Sequence, residues 1–266
     1  MKSLLLLLSI VMSPLAHSEL YSPSQVQLMT NTGLVASGQA TFQRHCSGCH
    51  GVNADGQGLG AAMLDPKPRN LLQDSFKLRS TPSGVLPTSE DLLRTIENGI
   101  PGSSMPSFRE LSSQEKLALV AFIRSLRPQF KETLDQQSSM AFSAPPVEIF
   151  HQKVGLLAAA SRGKKIYDKS CVFCHGAQGL GDGPSAADLT DENDRPIKAA
   201  NLTSLTFKSG ASPKDIFRAF STGLDGTPMP SFIDNFSDKD RWDIVAYVFY
   251  LRGMAHGVYS IEDKLP

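Results

Sequence analysis

The sequence predicts an all-α protein made of two copies of one helical domain. Three observations carry that expectation. A short motif recurs 125 residues apart, matching residues surround each copy, and helix start and stop signals frame runs of helical apolar spacing with no convincing alternating strand pattern. At 266 residues the chain has room for two cores of about 100 residues each. Hydrophobic residues at 41% and charged residues at 20% are ordinary globular values, which excludes a disordered chain or a multi-span membrane protein.

The N-terminus, MKSLLLLLSIVMSPLAHS, sets Lys2 before an apolar run and ends in small residues. This pattern is expected to be a secretory signal over residues 1–18, cut after Ser18. The run is about half of the roughly 20 residues a membrane span needs, so no transmembrane span is expected after cleavage. A periplasmic or otherwise exported location follows. The chain holds 26 basic and 26 acidic residues, and loss of Lys2 leaves a formal charge of −1. Such a balance gives no electrostatic case for nucleic acid binding.

The repeat centres on Cys46-Ser-Gly-Cys49-His50 and Cys171-Val-Phe-Cys174-His175, which together use all four cysteines. Gly38, Phe42, Gly51, Gly56, Gly58, Ala61, Ala62 and Leu64 match Gly163, Tyr167, Gly176, Gly181, Gly183, Ala186, Ala187 and Leu189 at the same offset of 125. Further on, Asn70-Leu71 and Phe76-Lys77 match Asn201-Leu202 and Phe207-Lys208 at an offset of 131, which places six extra residues of the second copy near Asp191 to Pro196. The first copy has its own insertion within LRSTPSGVLPTSE. Beyond it Arg94, Gly99 and Met105-Pro106-Ser107-Phe108 match Arg218, Gly223 and Met229-Pro230-Ser231-Phe232 at an offset of 124. A register recovered after each insertion indicates a domain duplication, each copy with its own core. The expected boundaries are 19–130 and 155–266, joined by a linker over 131–154 whose apolar residues pack on a domain.

In the first copy, Thr88 to Glu97 reads as a helix stopped at Gly99. Ser112-Ser113-Gln114-Glu115 then forms a capping box before a closing helix whose apolar face is Leu117, Val120, Ile123 and Leu126. In the second, Ser212-Pro213-Lys214-Asp215 supplies an N-cap, a proline at the first position and an acidic third residue before a stop at Gly223. Ser237 to Asp240 starts the second closing helix, with Ile244, Tyr247, Val248 and Leu251 on its apolar face.

Three chemistries compete for a Cys-x-x-Cys-His motif. Zinc needs four ligands, and each copy alone supplies two cysteines and a histidine. A thioredoxin-type dithiol sits beside a βαβ pattern, which is missing here. Haem c uses every element: two cysteines on a helical turn reach the vinyl groups as thioethers, and the following histidine turns onto the iron. Two covalently bound haem c groups are therefore expected, attached at Cys46, Cys49, Cys171 and Cys174 with His50 and His175 as iron ligands. Met105 and Met229 lie 55 and 54 residues after these histidines and are the methionines that match across the copies, which makes them the candidate sixth ligands. Met63, whose counterpart is Asp188, is expected to pack against core or haem. Met140 and Met254 are expected to pack as well, and His45, His151 and His256 to be surface or linker residues. The glycine-rich runs are not preceded by a strand, so they carry no nucleotide-binding reading.

On these motifs the chain resembles the dihaem class I cytochromes c, over nearly all of the sequence after the leader. The resemblance implies two tandem cytochrome c-type domains related by pseudo-twofold symmetry. It implies that Gly38 with Phe42, and Gly163 with Tyr167, mark the first helix where it crosses the closing helix. It also implies that a proline carbonyl accepts the ring N–H of the haem-binding histidine; Pro184 fits that role, whereas Leu59 replaces it in the first copy.

An iron held by histidine and methionine has no open position, so the expected function is electron transfer between redox proteins that dock transiently around exposed haem edges. Basic loops near Lys67 and Arg69, or Arg195 and Lys198, are candidates to pair with haem propionates. Two alternatives stand beside this carrier. One is a haem enzyme, such as a peroxidase or a sulfur-compound dehydrogenase, in which one iron loses or exchanges its distal ligand. The other is a fixed haem subunit of a larger oxidoreductase complex.

Overall fold

The computed structural model of the chain describes residues 32–132, 140–260, 262–263 and 265. The leader expected over residues 1–18 lies outside them. Each half is organised around two crossing helices. In the first, α1 (Thr32–His45) crosses α4 (Ser113–Ser125); in the second, α7 (Lys153–Ser170) crosses α10 (Asp238–Ala255). The crossing is possible because of two glycines. A Cβ on Gly38 would run into the carbonyl of Ala118, and one on Gly163 into that of Asp243. One turn along, Phe42 meets Phe122 with ring centroids 5.1 Å apart, and Tyr167 meets Tyr247 at 5.0 Å. All four residues stand at equivalent positions of the repeat, so the same crossing is built twice.

Between these helices lie α3 (Ser89–Asn98) and α9 (Pro213–Thr222). Both start as their sequences require. Thr88 and Asp91 form a capping box, while Ser212 accepts the Asp215 N–H with Pro213 in the first turn. Both end at a glycine of positive φ, Gly99 and Gly223. Ser112 and Glu115 complete the box at the start of α4, and Ser237 accepts the Asp240 N–H at α10. Two single-turn helices, α2 (Ser47–His50) and α8 (Val172–His175), carry the motifs. Short helices α5 (Gln129–Glu132) and α6 (Val147–Phe150) flank the connection between the halves. Among the described residues no β-strand forms, and the all-α expectation holds; one isolated antiparallel bridge, Thr190 to Pro196, closes the base of the second insertion.

Two separate cores result. The first gathers Phe42, Leu92, Ile96, Leu119, Phe122 and Phe130; the second gathers Ile149, Ala160, Tyr167, Phe217, Trp242 and Val245. The closing helices are more deeply enclosed than a single apolar face predicts. Ala118, Leu119, Ala121 and Phe122 are buried beside Val120 and Ile123, because α4 packs against α1 and α3 at once. The connection packs on the second core, with Phe142 edge-on to Phe217 and Ser143 accepting the Trp242 indole N–H at 2.8 Å. Among the described residues no helix is long and apolar enough to cross a membrane.

Candidate functional site

Each motif folds as one tight turn at the end of a crossing helix. The Cys46 N–H donates to the Phe42 carbonyl at 2.8 Å, and the His50 N–H to the Cys46 carbonyl at 2.9 Å. The second copy repeats this with Cys171 on Tyr167 and His175 on Cys171, both at 2.9 Å. Two thiols and an imidazole are thereby held on a single helical turn, all of them half-buried.

The glycine-rich stretch after each motif folds back on that turn. Gly56 N–H donates to the His50 carbonyl at 2.8 Å and Gly58 N–H to Cys49 at 3.1 Å; Gly181 and Gly183 do the same to His175 and Cys174 at 2.9 and 3.3 Å. These are the carbonyls that a helix end leaves without partners. A Cβ at Gly58 would collide with the backbone of Gly48, and one at Gly183 with that of Phe173. The glycines therefore serve close backbone approach to the motif and not a phosphate.

The ring of His50 places Nδ1 2.9 Å from the Arg69 carbonyl, and that of His175 places Nδ1 3.0 Å from the Ala200 carbonyl. A carbonyl only accepts, so Nδ1 carries the proton and Nε2 keeps its lone pair. Burial lowers both histidine pKa values, opposed in part by these backbone hydrogen bonds. A neutral imidazole with a free Nε2 is the form that binds iron, and its second-shell acceptor fixes the ring orientation. The acceptor is not Pro184. The loop around Pro184 is committed to the motif turn through the N–H groups of Gly183 and Ser185, and the ring reaches the next segment instead. Arg69 and Ala200 are equivalents at the offset of 131, each directly before the repeated Asn-Leu pair. That pair was the available signal, but a backbone carbonyl leaves no side-chain signature.

Met105 and Met229 are half-buried on the loops that follow α3 and α9. The two loops are pinned identically. Ile100 N–H donates to the Met105 carbonyl and Leu224 N–H to that of Met229, both at 3.0 Å. Hydroxyls of Ser103 and Thr227 accept the N–H of the respective methionine at 3.2 Å. Ser107 and Ser231 tie each loop back to its helix through the carbonyls of Glu97 and Ser221. Gly99 and Gly223 let the loop pass, since a Cβ there would strike Pro106 or Pro230.

Other expected residues fall elsewhere. Met63 is 85% exposed and does not pack in the protein core, because it sits on the outer side of a single 3-10 turn, Ala61–Met63. Met140 and Met254 are half-buried. His45 and His151 are exposed, as is His256, whose Nε2 lies 3.0 Å from the Thr203 carbonyl. Lys67 is engaged with the carbonyls of Ala61 and Ala62, and Arg69 pairs with Glu192 of the second half at 3.3 Å, whereas Arg195 and Lys198 are exposed.

The donor set fits a covalently attached haem. Burial, and then the neighbouring thiol, pushes Cys46 up to about 11 and Cys171 up to about 12. That opposes the thiolate a dithiol redox centre needs. Among the described residues no three His, Cys, Asp or Glu side chains are arranged to hold a metal ion by themselves. The cytochrome c family profile matches twice, over residues 35–127 and 160–252.

The chain belongs to the cytochrome c family. It consists of two tandem cytochrome c domains and carries two covalent c-type haems with iron. Among curated proteins, this cytochrome is 24% identical over 229 residues to the Cbb3-type cytochrome c oxidase subunit CcoP of Azospirillum sp. (strain B510), covering 82% of this chain and 62% of that protein. It is 23% identical to the subunit FixP of Sinorhizobium medicae (strain WSM419), covering 82% and 61%. The chain thus spans about three-fifths of the length of these relatives. Cytochrome c-554(547) of Halothiobacillus neapolitanus is 36% identical over 99 residues, covering 35% of this cytochrome and 97% of that one. Among solved structures, a chain titled Kuenenia stuttgartiensis reducing HAO-like protein complex Kustc0457/Kustc0458 superposes with a TM-score of 0.72 at 37% identity, covering 81% of this chain and 95% of that one.

Proposed function

We propose that the protein is an exported electron-transfer cytochrome whose two haems are ligated by His50 with Met105 and by His175 with Met229. One observation carries this reading: the same construction, a neutral Nδ1-protonated imidazole on a motif turn and a methionine on a pinned loop, occurs once in each half. Cys46, Cys49, Cys171 and Cys174 would hold the haems as thioethers. The carbonyls of Arg69 and Ala200 orient the imidazoles, and the loops after α3 and α9 deliver the methionines. The bound haem supplies a one-electron couple whose potential methionine ligation raises. Ligation on both sides in both halves leaves no position for a substrate, which separates a carrier from a peroxidase or a sulfur-compound dehydrogenase. The leader-like residues 1–18 support export.

A twofold relation between the halves is supported by repeat equivalents that face one another. Burial and then Arg94 lower the pKa of Arg218, while burial, Arg69 and Lys208 lower that of Lys77. A second reading, a haem subunit held in a larger oxidoreductase, is favoured by the relatives that are named as oxidase subunits. The deciding experiment is the optical spectrum of the exported protein in both oxidation states, with haem quantified per chain. Two low-spin haems, each with the ferric methionine charge-transfer band, are expected. A high-spin haem in either half would transfer the assignment to the enzyme reading, and stoichiometric co-purification with other subunits would select the complex.

A further inference from the structure

The two insertions that interrupt the repeat sit in different loops, yet each reaches across to the opposite domain. From the first insertion, the Arg79 guanidinium, with no exposed side-chain surface, donates to the Thr222 carbonyl at 2.8 Å and to that of Gly223 at 3.2 Å. It also pairs with Asp225 at 2.6 Å, and Asp225 further accepts the Ser83 hydroxyl at 2.7 Å and the Gly84 N–H at 2.9 Å. A cation on the last carbonyls of α9 is favoured by the helix dipole as well as by the carboxylate. From the second insertion, Glu192 accepts the Ser75 N–H at 2.8 Å and its hydroxyl at 2.5 Å, and pairs with Arg69 at 3.3 Å. Asn193 donates to Asp74 at 3.3 Å.

Each loop is stiff before it reaches over. The Ser80 N–H and hydroxyl are both held by buried Asp91, at 2.8 and 2.9 Å. The second insertion is closed by the Thr190–Pro196 bridge and by the Asp191 carboxylate, which accepts the N–H groups of Asn193 and Arg195. The two charged residues that receive these contacts differ in the other copy: Arg69 corresponds to Ala200, and Asp225 to Pro101. Linked domains move relative to one another by default unless the interface opposes it. A guanidinium with no exposure, bonded to the other domain at three acceptors, opposes it strongly, since separation strands a buried charge on one side and helix-end carbonyls on the other.

We infer that the two insertions are reciprocal latches that hold both haem domains in one fixed orientation, so that the protein passes electrons between its haems as a rigid pair. The latches also touch both haem sites. Arg69 supplies the carbonyl that orients His50, and Thr222-Gly223 opens the loop that carries Met229. This deepens the electron-transfer reading and rests on it.

The test compares the holoprotein with Glu192→Gln/Asp225→Asn and Glu192→Gln/Arg79→Leu, using solution X-ray scattering and the rate of electron exchange between the haems after pulsed one-electron reduction. The first pair removes charge from carboxylates only, which guards against a folding defect caused by the loss of Arg79. Haem spectra of all variants should match the wild type. The expected result is a larger radius of gyration and an exchange rate that falls by about tenfold or more, as misplaced reacting centres do. Unchanged scattering and unchanged exchange in both variants would overturn the latches. A wild type that exchanges no electrons, with variants that nevertheless open, would overturn the relay reading and leave the latches standing.

Discussion

Four residues at the helix crossings decide how each domain tolerates change. Ala118 and Asp243 present their carbonyls where a Cβ on Gly38 or Gly163 would stand, and neither backbone can retreat without moving a closing helix. Gly38→Ala or Gly163→Ala should therefore cost about 1–3 kcal/mol in denaturant unfolding, as overpacked sites do. The adjoining aromatic pairs make the domains differ in alkali. Tyr247 is pushed up to about 12, first by burial and then by Asp168 and Tyr250; Tyr167 is raised further, again chiefly by burial. An unfolded tyrosine titrates near 10. The folded domain keeps its protons where the unfolded chain has lost them, so this contribution is complete below about pH 10 and declines as pH climbs through 12. Phe42 and Phe122 occupy the same positions in the first domain and cannot ionise. Replacing Tyr167 and Tyr247 by Phe should cost about 1 kcal/mol near neutrality, because the Tyr167 hydroxyl donates to the Gly176 carbonyl. Between pH 8 and 11, however, the double variant should lose roughly 2 kcal/mol less than the wild type. Equal losses in urea titrations at the two pH values would refute the assignment.

Helix ends show where the repeat has drifted apart. In the first copy the N3 residue of α3, Asp91, is fully enclosed and accepts from Ser80, Thr88 and Arg94. Its equivalent in α9, Asp215, is 26% exposed and serves Ser212 and Arg218 alone. Asp91→Ala strands two buried backbone N–H groups and unfastens the first insertion, for about 2–4 kcal/mol, whereas Asp215→Ala should cost about 1 kcal/mol, the usual worth of a cap. Thermal unfolding of the two variants checks the difference, and equal shifts would disprove it. The caps themselves were readable in the sequence, since Thr88, Ser112, Ser212 and Ser237 each precede an acidic third residue. The crossing at Gly38 with Phe42, and at Gly163 with Tyr167, followed from the family resemblance and not from the spacing itself. The acceptors of His50 and His175 were not readable, because they are main-chain carbonyls, and neither was the use of the insertions. Arg79, Glu192 and Asp225 look like ordinary loop charges until the fold brings residues more than 100 positions apart together. The burial of α4 also exceeded its apolar stripe, because spacing reports one packing partner and this helix has more than one.

At the scale of the whole molecule, the division into two cores predicts how the haems are acquired. The residues that enclose the first motif, Phe42, Leu92, Ile96, Leu119 and Phe122, belong to one cluster, and those around the second, Tyr167, Phe217, Trp242 and Val245, to another. No member is shared between the two clusters, and Phe142, Ile149 and Phe150 of the connection pack with the second. Polar latches join the domains, so a defect in one motif should reach the other through orientation and not through packing. Cys46→Ala/Cys49→Ala should therefore yield a chain that carries one covalent haem, with the spectrum and midpoint potential of the remaining second-domain haem close to the wild type. Cys171→Ala/Cys174→Ala should give the mirror result. Intact-mass measurement and a redox titration check both variants. Loss of both haems from either variant would mean that the domains mature as one cooperative unit, and the separation of their cores would then be no guide to assembly.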